Sequence, residues 1–299
     1  MERTYLLYRE WASRLGCTRV ANVSSFVNTG IYVSMAVRPV SKTLTVHQGK
    51  GFSQIEADVS ALGESIETAI GASCRIKGVT MSSTVSDLSV ISKTSKLYQP
   101  SGGLAVHTNL ENAKLHAAQE FVERPLARDF LMQHKAKYDI PPEIFKNIQK
   151  KYSQINWDLF HNINAYILND DIFYTCAVMI AVNDDLRGKM YFAGFGSRLT
   201  LDKAVTASVL EAIQSYVTLV VGMRDDIPKI TKDSLKKDIK IDVENKISPN
   251  NLPAKKITSA DNIILAINKN NKAVAFQEVA KYSIDGLTAT VVKCGEKWQ

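Results

Sequence analysis

Two helical segments carry the same pair of glutamates, and this repeat limits the fold more than any other feature of the sequence. The copies are residues 60–67 and 116–123; in each, a polar residue precedes a glutamate by four positions and a second glutamate follows three positions later. Positions i, i+4 and i+7 lie on one face of an α-helix. The pattern therefore predicts two amphipathic helices, each presenting two carboxylates on one side and packing through the other.

The carboxylates suggest a metal site. Like charges on one helix face repel, and the repulsion grows when the groups are buried. A single Glu-x-x-Glu pair is most often a solvated helix face, but two copies favour convergence around a cation. Oxygen ligands suit Mg²⁺, which bridges to phosphate oxygens, and four carboxylates would hold two such ions. The predicted metal ligands are Glu64, Glu67, Glu120 and Glu123.

Strand and helix patterns alternate along the chain. Apolar, β-branched runs predict strands at four places, which are 31–37, 44–47, 172–182 and 189–195. Helical periodicity covers 54–74 and 110–130. Proline is expected to end the first strand at Pro39 and to kink or break the second helix at Pro125. The order of elements indicates an α/β or α+β fold with mixed sheets and packed helices.

The length of 299 residues is enough for a sizeable core, and a single domain over 1–299 is predicted. Within it, 133–171 is rich in Lys, Asn and aromatic residues and is predicted to be a helical insertion. The segment 225–256 is charged and interrupted by prolines, which is typical of a surface linker or lid. The tail from 263 to 294 is predicted to form strand, turn and strand.

Composition excludes several classes of protein. The four cysteines lie far apart, and no HExxH motif accompanies the five histidines, so the sequence supports neither a zinc site nor a disulfide framework. No apolar run approaches the roughly 18 residues that a membrane span needs, and no signal-peptide pattern is present, so a cytoplasmic protein is expected. The net charge of +7 comes largely from lysines at 135–151 and 228–256 with few aromatic neighbours. That pattern favours a solvated basic face over a nucleic-acid surface.

The motifs around the glutamates resemble the YcaO family. Gly49-Lys50-Gly51 precedes the first copy, and Gly103-Leu104-Ala105 precedes the second. A third element of the family, a helix carrying Glu-x-x-Gln with an arginine downstream, is matched by Glu211, Gln214 and Arg224. The resemblance extends from about residue 14 to 226, and it implies a YcaO-like fold whose helices present the repeated motifs.

The resemblance also implies a chemistry. Family members bind ATP and Mg²⁺ on these glutamates and phosphorylate a backbone amide oxygen of a ribosomally made peptide after, or while, a nucleophile adds to the carbonyl. A Cys, Ser or Thr side chain of the peptide as nucleophile gives an azoline ring, and external sulfide gives a thioamide. Such an enzyme needs no nucleophile of its own, because it supplies position and electrostatics. The residues implied to contact ATP or its metals are Ser60, Arg124, Glu211, Gln214 and Arg224.

Four positions depart from the family pattern, and they leave alternatives open. Thr68 stands where the first motif has arginine, His116 replaces a serine, and Thr108 and Asn112 alter the run before the second motif. The chain could therefore be a non-catalytic scaffold subunit that keeps the fold. The lack of proline after Pro253 argues against the best-known azoline-forming subtype and leaves thioamide formation open.

Partners are expected on the same grounds. The family motifs begin near residue 14, so no fused leader-binding domain is expected. The resemblance implies a precursor peptide as substrate, recruited by a leader-binding protein similar to ubiquitin-activating enzymes or by a TfuA-like protein that delivers sulfur. It is compatible with a homodimer, and it implies neither a membrane nor a nucleic acid as partner.

Overall fold

The computed structural model describes residues 1–40, 43–75, 97–98, 103–184, 188–221, 241–245 and 274–297. The helices are α1 (Glu2–Arg14), α2 (Gln54–Arg75), α3 (Leu110–Gln133), α4 (Pro142–Lys151) and α5 (Leu201–Val220). The strands are β1 (Arg19–Asn22), β2 (Tyr32–Val40), β3 (Thr43–Gly51), β4 (Leu97–Tyr98), β5 (Leu104–His107), β6 (Lys135–Asp139), β7 (Asn162–Asn169), β8 (Tyr174–Asp184), β9 (Gly188–Arg198), β10 (Asp242–Asn245), β11 (Val274–Ile284) and β12 (Leu287–Lys297). The fold is mixed α+β. None of the helices in these ranges has the length and apolar character needed to cross a membrane.

The chain forms two compact units. Unit 1 comprises Met1–Asn22, Tyr32–Phe121 and Ile257–Gln299, and unit 2 comprises Val23–Ile31 and Val122–Lys256. The single domain predicted over 1–299 is thus divided into two cores, each assembled from separate stretches of sequence. Helix α3 is continuous through the boundary, so its first half belongs to unit 1 and its second half to unit 2.

Unit 1 contains two antiparallel sheets. In the first, β2 lies between β1 and β3. In the second, β12 pairs with β11, β4 and β5. The β11–β12 hairpin turns at Asp285 and Gly286, whose φ values of 48° and 75° are the left-handed pair that a tight two-residue turn requires. Helices α1 and α2 pack over these strands, and their buried side chains include Leu7, Trp11, Leu62, Ile66 and Ile70.

The start of α2 is determined by a capping box. The Glu56 carboxylate accepts hydrogen bonds from the N–H groups of Phe52 and Ser53 (2.8 and 3.2 Å), and the Ser53 hydroxyl accepts one from the Glu56 N–H (3.4 Å). Helix α3 begins in a similar way, because the Asn109 side chain accepts a hydrogen bond from the Asn112 N–H (3.0 Å). Local sequence therefore sets where both motif helices begin.

Unit 2 is built on a five-stranded sheet in the order β10-β6-β7-β8-β9. All pairings are antiparallel except β10 with β6. Helix α5 covers β8 and β9, and β9 forms one edge of the sheet. One core cluster of this unit consists of Phe130, Ala136, Tyr166, Ala177, Met179 and Phe195.

Several predictions about secondary structure need correction. Strand β2 continues through Pro39, which pairs with Leu44. Because Pro39 lies beyond the last residue paired with β1, its missing N–H costs no ladder bond on that side. Helix α3 also runs through Pro125. Buried side chains anchor it on both sides, with Phe121 in unit 1 and Phe130 in unit 2, and this packing offsets the lost helical bond.

The predicted insertion and linker are also different in the structure. Segment 133–171 is not only helical, because it supplies β6 and β7 to the central sheet of unit 2 in addition to α4. Their polar residues hid the strand pattern. Residues 242–245, inside the predicted linker or lid at 225–256, form β10. The rest of that segment and the predicted strand at 263–267 lie outside the described residues.

Two glycines bring strands into close contact with their helices. A Cβ atom on Gly49 would lie 2.2 Å from the Ala57 carbonyl oxygen of α2, and one on Gly196 would lie 2.6 Å from the Ala204 carbonyl oxygen of α5. Each glycine lies five residues before the first residue of its helix. A side chain at either position would therefore push the helix away from the strand.

We expect Gly196→Ala to destabilise the protein by about 1–3 kcal/mol, the usual cost of overpacking a close contact. Equilibrium unfolding in denaturant would measure the loss. Ser13→Ala, a change at an exposed position of α1, serves as the control and should leave the free energy of unfolding nearly unchanged. Equal stability of Gly196→Ala and the wild type would contradict the close packing.

Candidate functional site

Three strand–helix pairs share one register, which extends the repeat seen in the sequence. The pairs are β3–α2, β5–α3 and β9–α5, and in each a two-residue turn separates the strand from the helix. Glu64, Glu120 and Glu211 each lie ten residues after the first residue of their helix. The residues three positions later are Glu67, Glu123 and Gln214. The third helix, α5, is therefore a copy of the first two.

In unit 1, two of these glutamates accept hydrogen bonds from β5. The Leu104 N–H donates to Glu120 Oε2 (3.0 Å), and the Val106 N–H donates to Glu67 Oε1 (2.8 Å). Alternate residues of a strand point their N–H groups to the same edge. The carboxylates thus satisfy one edge of β5 while β12 pairs with it along the other. The two N–H donors are two residues apart, which corresponds to about 7 Å along the strand.

Unit 2 repeats this arrangement on β9. The Ser197 N–H donates to Glu123 Oε2 (2.8 Å), and the Phe195 N–H donates to Glu211 Oε2 at a longer distance (3.4 Å). Strand β9 pairs with β8 on its other side. In each unit one glutamate, Glu120 or Glu211, comes from the helix that follows the strand and lies sixteen residues after its N–H donor. The other glutamate, Glu67 or Glu123, comes from the preceding motif helix.

In unit 2, the carboxylates of Glu123 and Glu211 and the guanidinium of Arg198 interact electrostatically. Burial raises the pKa of Glu123, and the neighbouring Glu211 raises it further, whereas Arg198, the Ser197 N–H and Arg124 lower it. Burial lowers the pKa of Arg198, and the carboxylates of Glu123 and Glu211 raise it. Arginine stays protonated under these influences, so the site holds a half-buried positive charge beside two acids.

In unit 1 the acidic residues differ in exposure. Glu64 is exposed, whereas Glu67 and Glu120 are half-buried. Burial raises the pKa of the Tyr8 phenol, and the nearby Glu67 carboxylate raises it further, so this tyrosine is neutral and can serve only as a hydrogen-bonding or packing group. The carboxylate of Glu67 therefore lies in a partly desolvated position beside β5.

Within the described part of the chain, no three or more His, Cys, Asp or Glu side chains form a ready-made metal site. The acidic groups are held instead as pairs on strand edges, which separates like charges when no cation is bound. The ligand roles of Glu64, Glu67, Glu120 and Glu123 stay predictions. The donor set is one that Mg²⁺ accepts, because it consists of carboxylate oxygens that hydrogen bonds hold in place.

The remaining predicted site residues are divided between the two units. Ser60 is exposed on α2, one helical turn before Glu64, and belongs to unit 1. Arg124 is exposed on α3 and Gln214 is half-buried on α5, and both belong to unit 2. Arg224 lies outside the described residues.

Two residues of interest were missed in the sequence, and both lie at the end of a motif strand. Arg198 ends β9 and His107 ends β5, each three residues before its helix begins. The His107 Nδ1 accepts a hydrogen bond from the Asn109 N–H (2.9 Å), and its ring contacts His116 edge-on at 5.7 Å. The shared register would have identified both positions, but the register becomes visible only when the strand ends are known.

The sequence of the chain is similar to a family model and to two known proteins. A family model described as YcaO cyclodehydratase, ATP- and Mg²⁺-binding, matches residues 92–290. Two uncharacterized Mycobacterium tuberculosis proteins, MT1419 and Rv1375, are each 42% identical to the chain over 66 residues. That match spans 22% of this chain and 15% of either relative, so most of each relative lies outside it.

Solved structures show the same fold. YcaO from Methanopyrus kandleri, bound with AMPPCP and Mg²⁺, aligns with a TM-score of 0.70 at 16% identity, covering 99% of this chain and 90% of that one. A heterocyclase in complex with substrate and cofactor aligns at 0.68 and 13% identity, covering 99% and 52%. A chain of the E. coli microcin synthetase McbBCD complex aligns at 0.58 and 14% identity, covering 91% and 86%. These matches confirm the predicted YcaO-like fold.

The bond between Glu67 and β5 can be tested without any ligand. We expect Glu67→Leu to cost about 1–3 kcal/mol, because it leaves the Val106 N–H without its acceptor, and Glu67→Gln to cost less, because an amide oxygen can replace the carboxylate. Denaturant unfolding without added metal gives both values. Glu143→Leu, on the exposed face of α4, is the control. Equal losses for the two Glu67 variants would argue against the hydrogen bond.

Proposed function

The chain belongs to the YcaO family, and on that premise we propose that it is an ATP- and Mg²⁺-dependent enzyme that activates backbone amides of a peptide. The observation that carries the proposal is the pair of glutamates hydrogen-bonded to the edge of β5 and the pair hydrogen-bonded to the edge of β9, on helices that share one register. Hydrogen bonds to the main chain orient these carboxylates, as positioned metal ligands require. The solved relatives that bind AMPPCP with Mg²⁺, or substrate with cofactor, are consistent with it.

The proposed reaction couples one ATP to one amide. A Cys, Ser or Thr side chain of the peptide adds to the amide carbonyl carbon and gives up its proton. After or during this addition, the amide oxygen bonds to the γ-phosphorus of ATP, and ADP leaves. Phosphate then departs with the former amide oxygen while the amide nitrogen loses its proton and forms the C=N bond of an azoline ring. The protein supplies no nucleophile, so its contribution is position and charge.

We assign the residues of the chain to this reaction as follows. Glu64, Glu67, Glu120 and Glu123 hold Mg²⁺, which when bound neutralises charge on the phosphate oxygens. Glu211 and Gln214 occupy the equivalent positions of the third helix and complete the set of oxygen ligands toward nucleotide or metal. Ser60, Arg124 and Arg224 are assigned to ATP; a guanidinium suits this role because it binds two phosphate oxygens at once.

The Glu123–Glu211 pair provides the fit to a cation. Burial and the neighbouring Glu211 carboxylate raise the pKa of Glu123, so a negative charge on Glu123 is costly there. A divalent cation offsets that cost in addition to the positive charges of Arg198 and Arg124. The hydrogen bond from the Ser197 N–H orients one oxygen of Glu123.

We expect Glu123→Gln to reduce peptide-dependent ADP release by roughly a hundredfold or more, because the amide keeps the hydrogen bond to Ser197 but loses the charge that binds the cation. A coupled assay for ADP with a precursor peptide and any leader-binding partner measures this. Glu143→Gln, an exposed residue of α4, is the matched control. Full activity of Glu123→Gln would remove the metal-ligand assignment.

The mass of the treated peptide distinguishes the chemistries. Azoline formation removes the mass of one water molecule for each modified residue, whereas thioamide formation replaces an oxygen by a sulfur and requires a sulfur-delivery partner. We expect the loss of water. A gain equal to the difference between sulfur and oxygen would assign the chain to thioamide formation. Nucleotide binding with an unchanged peptide, after every candidate partner has been added, would indicate a scaffold subunit.

A further inference from the structure

Arg198 is a half-buried arginine beside two acids. It is the last residue of β9, and its Nη1 donates a hydrogen bond to the Ser197 carbonyl oxygen (2.7 Å). A guanidinium carries five N–H donors. Among the described residues this is its one hydrogen bond, and it forms no ion pair within 4 Å there. None of its nitrogens is a buried atom without a partner, so the remaining N–H donors are accessible to solvent or to a ligand.

An arginine that lies beside carboxylates normally forms a direct, often two-pronged pair with one of them. Here Glu123 and Glu211 lie close enough to raise the pKa of Arg198, yet neither contacts the guanidinium directly. Both carboxylates use one oxygen to accept a main-chain N–H of β9, which restrains them on the strand edge. The guanidinium of Arg198 and the two carboxylates thus lie near the same end of β9 without direct contact.

We propose that Arg198 is a phosphate ligand, and that its guanidinium binds oxygen atoms of the nucleotide phosphates beside Glu123 and Glu211. This inference rests on the proposed function. A phosphate offers oxygens both to a guanidinium and to a cation held on carboxylates, so it can join groups that do not contact each other. A carboxylate-bearing ligand would bind the arginine but would add to the repulsion from the two glutamates without a bridging cation.

The register supports this assignment over a purely structural one. The positions equivalent to Arg198 in the other two strand–helix pairs are Gly51 and His107. Strand β5 holds its two glutamates by the same main-chain bonds with a histidine at that position, and burial lowers the pKa of that histidine, which favours its neutral form. A positive charge at the strand end is therefore not needed to hold a glutamate pair on a strand edge.

The test compares Arg198→Gln and Arg198→Lys with Arg128→Gln in the full chain. Arg128 is an exposed arginine of α3 whose contact is its neighbour Asp129. Isothermal titration calorimetry with a non-hydrolysable ATP analogue and Mg²⁺ gives the dissociation constants, and thermal melting without ligand reports folding. We expect Arg198→Gln to bind the analogue about tenfold to hundredfold more weakly, the worth of one charged hydrogen-bonded contact. Arg198→Lys should lie between, and Arg128→Gln should match the wild type.

Each outcome decides the matter. If Arg198→Gln binds as tightly as the wild type but melts at a lower temperature, Arg198 serves only to balance charge on β9 and the inference is overturned. If Arg198→Gln does not fold, Arg198→Lys decides, because it keeps the charge and loses the two-pronged donor geometry. If the wild type itself binds no nucleotide with Mg²⁺, the proposed function fails as well. Binding by wild type, Arg128→Gln and Arg198→Gln alike would overturn the role of Arg198 alone.

Discussion

The fold depends on hydrogen bonds between helix carboxylates and the exposed edge of a β-strand. An edge strand leaves alternate N–H groups without partners, and buried N–H groups need acceptors. In unit 1 the edge of β5 is satisfied by Glu67 and Glu120, and in unit 2 the edge of β9 is satisfied by Glu123 and Glu211. These bonds fix the rotation of each helix relative to its strand. They also hold acids in partly desolvated positions.

Glycine brings two of the motif strands close to their helices. The absence of a Cβ at Gly49 and Gly196 allows a close approach in the first and third strand–helix pairs. In the second pair, Ala105 occupies the equivalent position and is buried, and β5 still donates hydrogen bonds to Glu67 and Glu120. The close contact at a glycine and the placement of the acids on β5 are therefore separate requirements.

Much of this could be predicted from the sequence. The positions of α2 and α3 followed from apolar periodicity, which is a local signal, and strands β8 and β9 followed from two apolar runs. Strands β6, β7 and β10 were missed because their polar residues and short lengths give no alternating pattern. Their pairing comes from tertiary contacts that no local window contains.

The candidate site shows the same division. The glutamates were found because they repeat at a fixed spacing along one chain. Arg198 was missed because its importance lies in a burial and a proximity that arise only when β9, α3 and α5 come together in unit 2. The two units could not be outlined from local sequence, because each unit combines segments that are distant in sequence.

The three-copy register also shows which departures from the family pattern matter. Across α2, α3 and α5, the residue four positions before the first glutamate is Ser60, His116 or Ala207, and the residue after the second acidic or amide position is Thr68, Arg124 or Ser215. These positions differ among the copies, whereas the first position is glutamate in all three and the position three residues later is Glu67, Glu123 or Gln214. In the described part of the chain, the carboxylates bonded to the edges of β5 and β9 are those of Glu67, Glu120, Glu123 and Glu211. Thr68 and His116 lie outside these positions, so they do not supply the carboxylates of these bonds.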